Sequence, residues 1–265
     1  MAERRPRDPD RDPAGSEEEL VEKAELVAFL RQRARDEELP WPAPWLRAHA
    51  ALSVATGSWE QFSVAYSVGE DTDSLREILM DSIEDVVFGW SLAERAFGDA
   101  EWAKYEADQR RYPAWYHTRM TRVALAVAFN VEDAAFDRLV HASGDLALAD
   151  RLVDRLIATR RPERPVSADL LFPSQYAKLD AVFDAAEDER PSALRAYVKS
   201  WATGKRAMHW FKGDGSANMG RWAFDAAGAA AALGIDDADV ATMPFYPTDL
   251  ATRQLRGTRP MEDRS

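Results

Sequence analysis

At 265 residues the chain can bury one large core or two smaller ones, and with no cysteine it can form neither a disulfide nor a thiolate metal site. Its 46 acids outnumber its 34 bases for a net charge of −12, a balance that weighs against gripping a phosphate backbone, which takes clustered Lys and Arg. The same balance suits a basic partner, or simply keeps the chain in solution.

Residues 1–15 alternate Arg and Asp around Pro6, Pro9 and Pro13, and such a composition cannot offset the entropy of ordering, so a disordered arm is expected. The arm has no apolar core and does not read as a secretory signal, which predicts a cytoplasmic protein. Ser16 with Glu19 makes a capping-box pattern for a helix running to about Glu38, where Pro40, Pro42 and Pro44 break it. Trp45 to Thr56 reads as a helix ended by Gly57. Ser58 with Gln61 repeats the capping signal and opens another helix through Tyr66, stopped by Gly69. A long helix is predicted over Thr72 to Phe97, then Glu101 to Arg111, Trp115 to Asn130, Asp133 to Ala142 and Leu146 to Thr159.

Beyond the charged connection from Arg160 to Pro165, helices are predicted over Ala168 to Leu171, Ser174 to Ala186, Ser192 to Trp210 and Gly220 to Leu233, with a short piece after Asp237. Leu194, Tyr197, Val198, Trp201 and Met208 form the core stripe of one of them, and Pro191 suits its first turn. Gly234 stands where a left-handed cap belongs, with Ile235 as its hydrophobic partner. No stretch alternates with period two, and the longest apolar run, 226–233, falls far short of the ~20 residues of a membrane helix. The expected fold is all-α, a multi-helix bundle of about ten or more helices. It divides into a disordered arm over 1–15, an N-terminal helical region over 16–130, a C-terminal helical region over 131–252 and a flexible tail over 253–265.

The helix after Thr72 carries the sharpest chemical pattern. Leu75, Ile78, Leu79, Ile83, Val86 and Trp90 recur at helical spacing, and Asp73, Glu77, Asp81, Glu84 and Asp85 are read onto the opposite face. With Glu70 and Asp71 these make seven acids against Arg76 alone between residues 70 and 85. The pairs Asp73–Glu77, Glu77–Asp81 and Asp81–Asp85 are like charges four apart, each costing the helix about 0.2–0.5 kcal/mol. One reading is a solvated face of an acidic protein. The other, sharper one is a surface shaped to meet a basic groove such as the DNA-binding cleft of a nuclease.

Catalytic patterns are absent. Asp137 and His141 stand four apart and could supply two metal ligands, but no third ligand is placed by a recognisable motif, and there is no His-Glu-x-x-His. His49 and His117 stand in no such pattern either. Gly215 and Gly220 have the gap of a phosphate loop, yet Arg221-Trp222 replaces the required Lys and Ser/Thr and no strand precedes. No cofactor, catalytic residue or metal is expected. An alternative reading is a metal-dependent hydrolase in a carboxylate-rich helical bundle.

Several segments resemble a known family. Leu171-Phe172-Pro173-Ser174-Gln175-Tyr176-Ala177-Lys178-Leu179, Tyr197 to Trp201, His209-Trp210, Gly220 to Asp225, Gly234 to Asp237 and Tyr246-Pro247-Thr248-Asp249-Leu250 are similar to the C-terminal half of PoNi-like immunity proteins. Tyr66 to Asp71 and Phe136 to Val140 are similar to the family's first half. The chain departs from the family pattern at Ala226 to Ala232, where bulkier aliphatics are usual, and at the Gly-rich Lys212 to Gly215. The resemblance implies an antidote to a PoNe-type DNase toxin encoded nearby, of the kind that travels through type VI secretion, with no enzymatic activity of its own. It marks Trp201, His209, Trp210, Trp222, Tyr246, Pro247 and Asp249 as motif residues with a structural role. Toxin binding is expected at Asp73, Glu77, Asp81, Glu84 and Asp85, with no direct contact to nucleic acid or membrane.

Overall fold

Proline and glycine punctuation breaks the chain into helices, and a computed structural model describes residues 13–143, 149–203 and 222–250. Ten α-helices lie among them: α1 Pro13–Arg35, α2 Pro44–Val68, α3 Thr72–Ala96, α4 Asp99–Arg111, α5 Pro113–Ala128, α6 Asp133–Ala142, α7 Arg151–Ala158, α8 Pro173–Asp184, α9 Arg190–Thr203 and α10 Phe224–Leu233. A 3-10 turn, Thr248–Leu250, follows. No strand occurs among the described residues, so the protein is all-α as its apolar periodicity predicts. Among these residues no helix is long and apolar enough to cross a membrane.

The chain forms two units. Among the described residues, the first takes 13–122 and 132–143, and the second takes 123–131, 149–203 and 222–250. In the first, α1 packs along α2 and α2 along α3, burying Val27, Ala34, Ala48, Ala51, Val54, Leu92, Ala93 and Phe97. Gly89 sets how closely α3 approaches: a Cβ there would lie 2.9 Å from the backbone nitrogen of Leu52. Trp90, Phe97 and Trp102 complete this core with centroids 5.1 Å apart in tilted and edge-on contacts, the geometry that ring quadrupoles favour.

In the second unit α8 and α9 pack together over Tyr176, Leu179, Val182, Leu194, Tyr197 and Val198, all buried. α10 closes on the last turns of α5, where a Cβ on Gly228 would fall 2.4 Å from Ala124 Cβ and 2.7 Å from its carbonyl. The Ala-rich sequence of α10 is therefore what lets two helix backbones meet. Gly234 adopts φ 64 as the left-handed cap, and Ile235 donates its N–H to Ala230 and buries its side chain.

α1 opens at Pro13, inside the stretch expected to be a disordered arm, so Ser16 does not cap it; proline suits a first helical turn. Three further local expectations fail, each for a tertiary reason. The break at Gly57 does not exist, and α2 runs unbroken through it. The missing side chain there admits Val27 of α1, whose Cγ2 would be 3.2 Å from a Cβ. Ser58 is accordingly not a cap; its hydroxyl donates to the Val54 carbonyl, 2.8 Å, and to Asp85. The helix expected at 168–171 is irregular backbone, because Asp154 accepts the Ser167 N–H at 3.0 Å and Asp150 accepts the Leu171 N–H at 2.7 Å. Residues after Asp237 form turns rather than a helix, tied by the Tyr246 hydroxyl donating to Asp237 at 2.6 Å. The phosphate-loop-like stretch and the Gly-rich departure at 212–220 lie outside the described residues.

Candidate functional site

α3 begins where Asp71 caps it, its carboxylate accepting the Ser74 N–H at 2.8 Å. Leu75, Leu79, Ile83, Val86 and Trp90 are buried and Ile78 half-buried, so the apolar stripe seats the helix against its neighbours. Asp73, Glu77 and Asp81 are exposed and lie successively four residues apart, forming a ridge along the outer face.

Asp85 does not belong to that ridge. It stands three residues beyond Ser82, itself fully buried, and its side chain is 2% exposed. Arg31 grips it with two forked bonds, Nε to Oδ1 and Nη2 to Oδ2, each 2.8 Å. Arg35 lies 3.6 Å away and Ser58 donates to the same carboxylate. Taking Asp85 as a surface residue is therefore a misplacement: it is a buried strut joining α1, α2 and α3. The helix wheel already holds the reason, since two full turns separate Asp85 from inward-leaning Ile78.

The other acids are partly compensated from elements far away in sequence. Arg31 reaches Asp81 at 3.1 Å, though the Asp81 side chain stays 64% exposed. Arg138 of α6 forks onto Glu84, which is 41% exposed. Asp73 and Glu77 make no ion pair among the described residues. The predicted repulsive helix thus resolves into an open pair of acids, two tethered ones and a buried one.

A cavity of about 440 Å³ also opens in this unit, with His49, Lys104, Tyr105, Arg119 and Arg122 in its lining. Arg122 is buried; its Nε donates to Ser82 Oγ at 3.0 Å and its Nη2 to the Ala55 carbonyl at 2.7 Å, and its guanidinium lies over Trp59. Burial pulls its pKa down to about 10 against the opposing field of Asp85, so it remains charged at neutral pH. Burial and then Lys104 push His49 below its usual value, which keeps it neutral. Ser53 donates to the His49 backbone carbonyl, 2.9 Å, rather than to its ring. The cavity has no partner in the sequence reading because its walls come from five helices.

His141, weighed as a metal ligand with Asp137, instead meets Glu94 at 2.8 Å on the surface. Among the described residues no three His, Cys, Asp or Glu side chains converge to hold a metal.

The motif residues of the second unit occupy its interior. Trp201 is buried against Tyr197, centroids 6.1 Å apart, and Trp222 is buried beside Ala223, whose N–H donates to Phe245 at 2.9 Å. The Tyr197 hydroxyl donates to Asp225, a fully buried carboxylate whose pKa desolvation pushes up to about 7 against that hydrogen bond. Tyr246 and Pro247 are buried, and Asp249 is half-buried beside them. His209 and Trp210 lie outside the described residues.

These buried contacts fall in a segment with a known counterpart: residues 148–250 match the family described as PoNe immunity proteins (PoNi), C-terminal. Over that stretch the chain is PoNi-like. The PoNi segment takes in α7 to α10 and the 3-10 turn, hence Trp201, Trp222, Tyr246 and the Tyr197–Asp225 pair, while the acidic ridge of α3 lies ahead of it. No curated protein matches the chain. Among solved structures, protein PA2201 from Pseudomonas aeruginosa is similar in fold, with a TM-score of 0.70 at 20% identity over 97% of this chain and 92% of that one.

Proposed function

We propose that this PoNi-like chain is an immunity protein that binds a PoNe-type DNase toxin and holds it inactive by covering the active site or the DNA path. The observation that carries the reading is the family match over residues 148–250. The contact surface is the exposed ridge of Asp73, Glu77 and Asp81, flanked by Glu84; Asp85 supports it from beneath. A nuclease must present cations to bind phosphate, and a ridge of carboxylates is the complementary surface. Such an antidote acts by occupancy, needs no cofactor, and works in the bacterial cytoplasm, where DNA is at risk. The gene neighbourhood of a type VI secretion effector is the setting this reading implies.

The test is direct. The purified chain is added in equimolar amount to the nuclease encoded beside it, and DNA cleavage is followed. Loss of cleavage together with a stable complex on gel filtration supports the reading; cleavage that continues at full rate overturns it.

A further inference from the structure

The face of α1 that looks away from the core has a pattern of its own. Val27, Leu30, Arg31 and Ala34 turn inward, the apolar three into the core and Arg31 onto Asp85. The next stripe round the helix, Glu22, Leu26, Phe29 and Arg33, is exposed throughout, with Leu26 at 50% and Phe29 at 58%. Its spacing of four, three and four residues is the seam along which two helices interdigitate.

The stripe is also self-complementary. Reversing a second α1 about a two-fold axis between residues 27 and 28 sets Leu26 against Phe29 of the other copy, and Glu22 against its Arg33, on both sides at once. The charges of the whole helix follow the same rule. Exposed Glu17, Glu18, Glu22 and Glu25 fill its first half, and exposed Arg33 and Arg35 its end. A parallel arrangement would oppose like charges. A uniformly basic partner would be repelled by the Arg33 end. The occupant must be basic at one end, acidic at the other and apolar between, and α1 itself meets that description.

We infer that α1 is a self-association surface, on which a second copy of this chain docks antiparallel along Glu22, Leu26, Phe29 and Arg33. The seam spans twelve residues, roughly 18 Å of helix, and buries less than the ~800 Å² per partner of a standard stable interface. The dimer is accordingly weak, with a dissociation constant on the order of 10–100 µM. The inference is independent of what the chain neutralises.

Sedimentation velocity on the full chain, from about 1 µM to about 300 µM, reads it out. The expected result is a reversible shift from the 29.7 kDa monomer toward twice that mass. Phe29→Glu abolishes the shift. Glu22→Arg and Arg33→Glu each weaken it by about 10-fold, because two attractive pairs become repulsive. An equimolar mixture of those two single variants restores association, since each then supplies the charge the other lacks. All three positions are exposed, so thermal melts match the parent and exclude misfolding. A parent that stays monomeric over the range overturns the inference, as does a dimer indifferent to Phe29→Glu or a mixture that fails to associate. A monomeric parent whose nuclease capture is lost in Phe29→Glu also overturns it, and gives the face to the toxin.

Discussion

Asp85 shows how one side chain can be mistaken for surface when its partners are remote. Its carboxylate is dry and held by a half-buried guanidinium from 54 residues upstream. Removing one member of a buried ion pair leaves the other charge with its desolvation cost, commonly 3–5 kcal/mol. Arg31 can still reach water through its exposed quarter, so Asp85→Asn should cost about 3 kcal/mol in urea unfolding, at the low end of that range. Nuclease capture at low temperature should be unchanged. A variant as stable as the parent would remove Asp85 from its place as strut. Asp225 has the reverse character. Burial lifts its carboxyl from 3.8 to about 7, so between these values the folded chain holds a proton that the unfolded chain has lost. Stability therefore falls as pH rises from about 4 to about 7 and is level above, because the unfolded state binds fewer protons through that window. Asp225→Asn, which keeps an acceptor for the Tyr197 hydroxyl without a charge, should flatten the slope and raise stability at pH 8. Parallel pH profiles for parent and variant would exclude desolvation of Asp225 as its source.

At the scale of the helix, what could be read in advance followed from local patterns. The apolar periodicity of α3, the aromatic stripe of α9 and the left-handed cap at Gly234 each depend on residues within a few positions, and each was legible. What was not legible depended on partners brought in by folding. Gly57 has every local mark of a helix end, yet α1 lays Val27 against it and the helix continues. Asp150 and Asp154 capture backbone groups as far as 21 residues downstream, which no window of helical periodicity contains. The acidic face was visible as composition, but its compensation by Arg31 and Arg138, 50 and 54 residues away, was not. α10 offers the clearest test of a packing constraint. Gly228→Ala would thrust a methyl to within 2.7 Å of a backbone carbonyl that cannot retreat without moving α5. The gain in helix propensity is about 1 kcal/mol, and overpacking costs typically 1–3 kcal/mol, so the variant should melt lower. Gly57→Ala serves as the comparison, because among the described residues the added Cβ would meet one methyl of Val27, at 3.2 Å. If Gly228→Ala melts at or above the parent, the close approach of α10 to α5 is not a constraint.

Over the whole molecule, net charge and local charge do different things. A chain at −12 repels any anion at long range and draws in a cationic protein, but only an uncompensated patch gives that attraction a direction. Asp73 and Glu77 are that patch, being exposed and without ion pairs among the described residues. Changing both to Lys moves the net charge by four, from −12 to −8, and reverses the field at one place only. The 77–81 pair turns attractive while positions 73 and 77 stay like-charged and the first turn loses its acid, so these small terms largely offset and the fold should change in stability by less than about 1 kcal/mol. The effect should fall on association. Complementary surfaces raise encounter rates from about 10⁵–10⁶ toward 10⁸–10⁹ M⁻¹s⁻¹ at low salt, and reversing two central charges should lower the rate by about 10-fold or more. At about 1 M salt the screening length shrinks to about 3 Å, and the rates of parent and variant should converge. Stopped-flow capture of the nuclease across that range of salt distinguishes steering from contact. A deficit that persists at high salt would place these carboxylates inside the interface, and equal rates at low salt would move the toxin to another face of the protein.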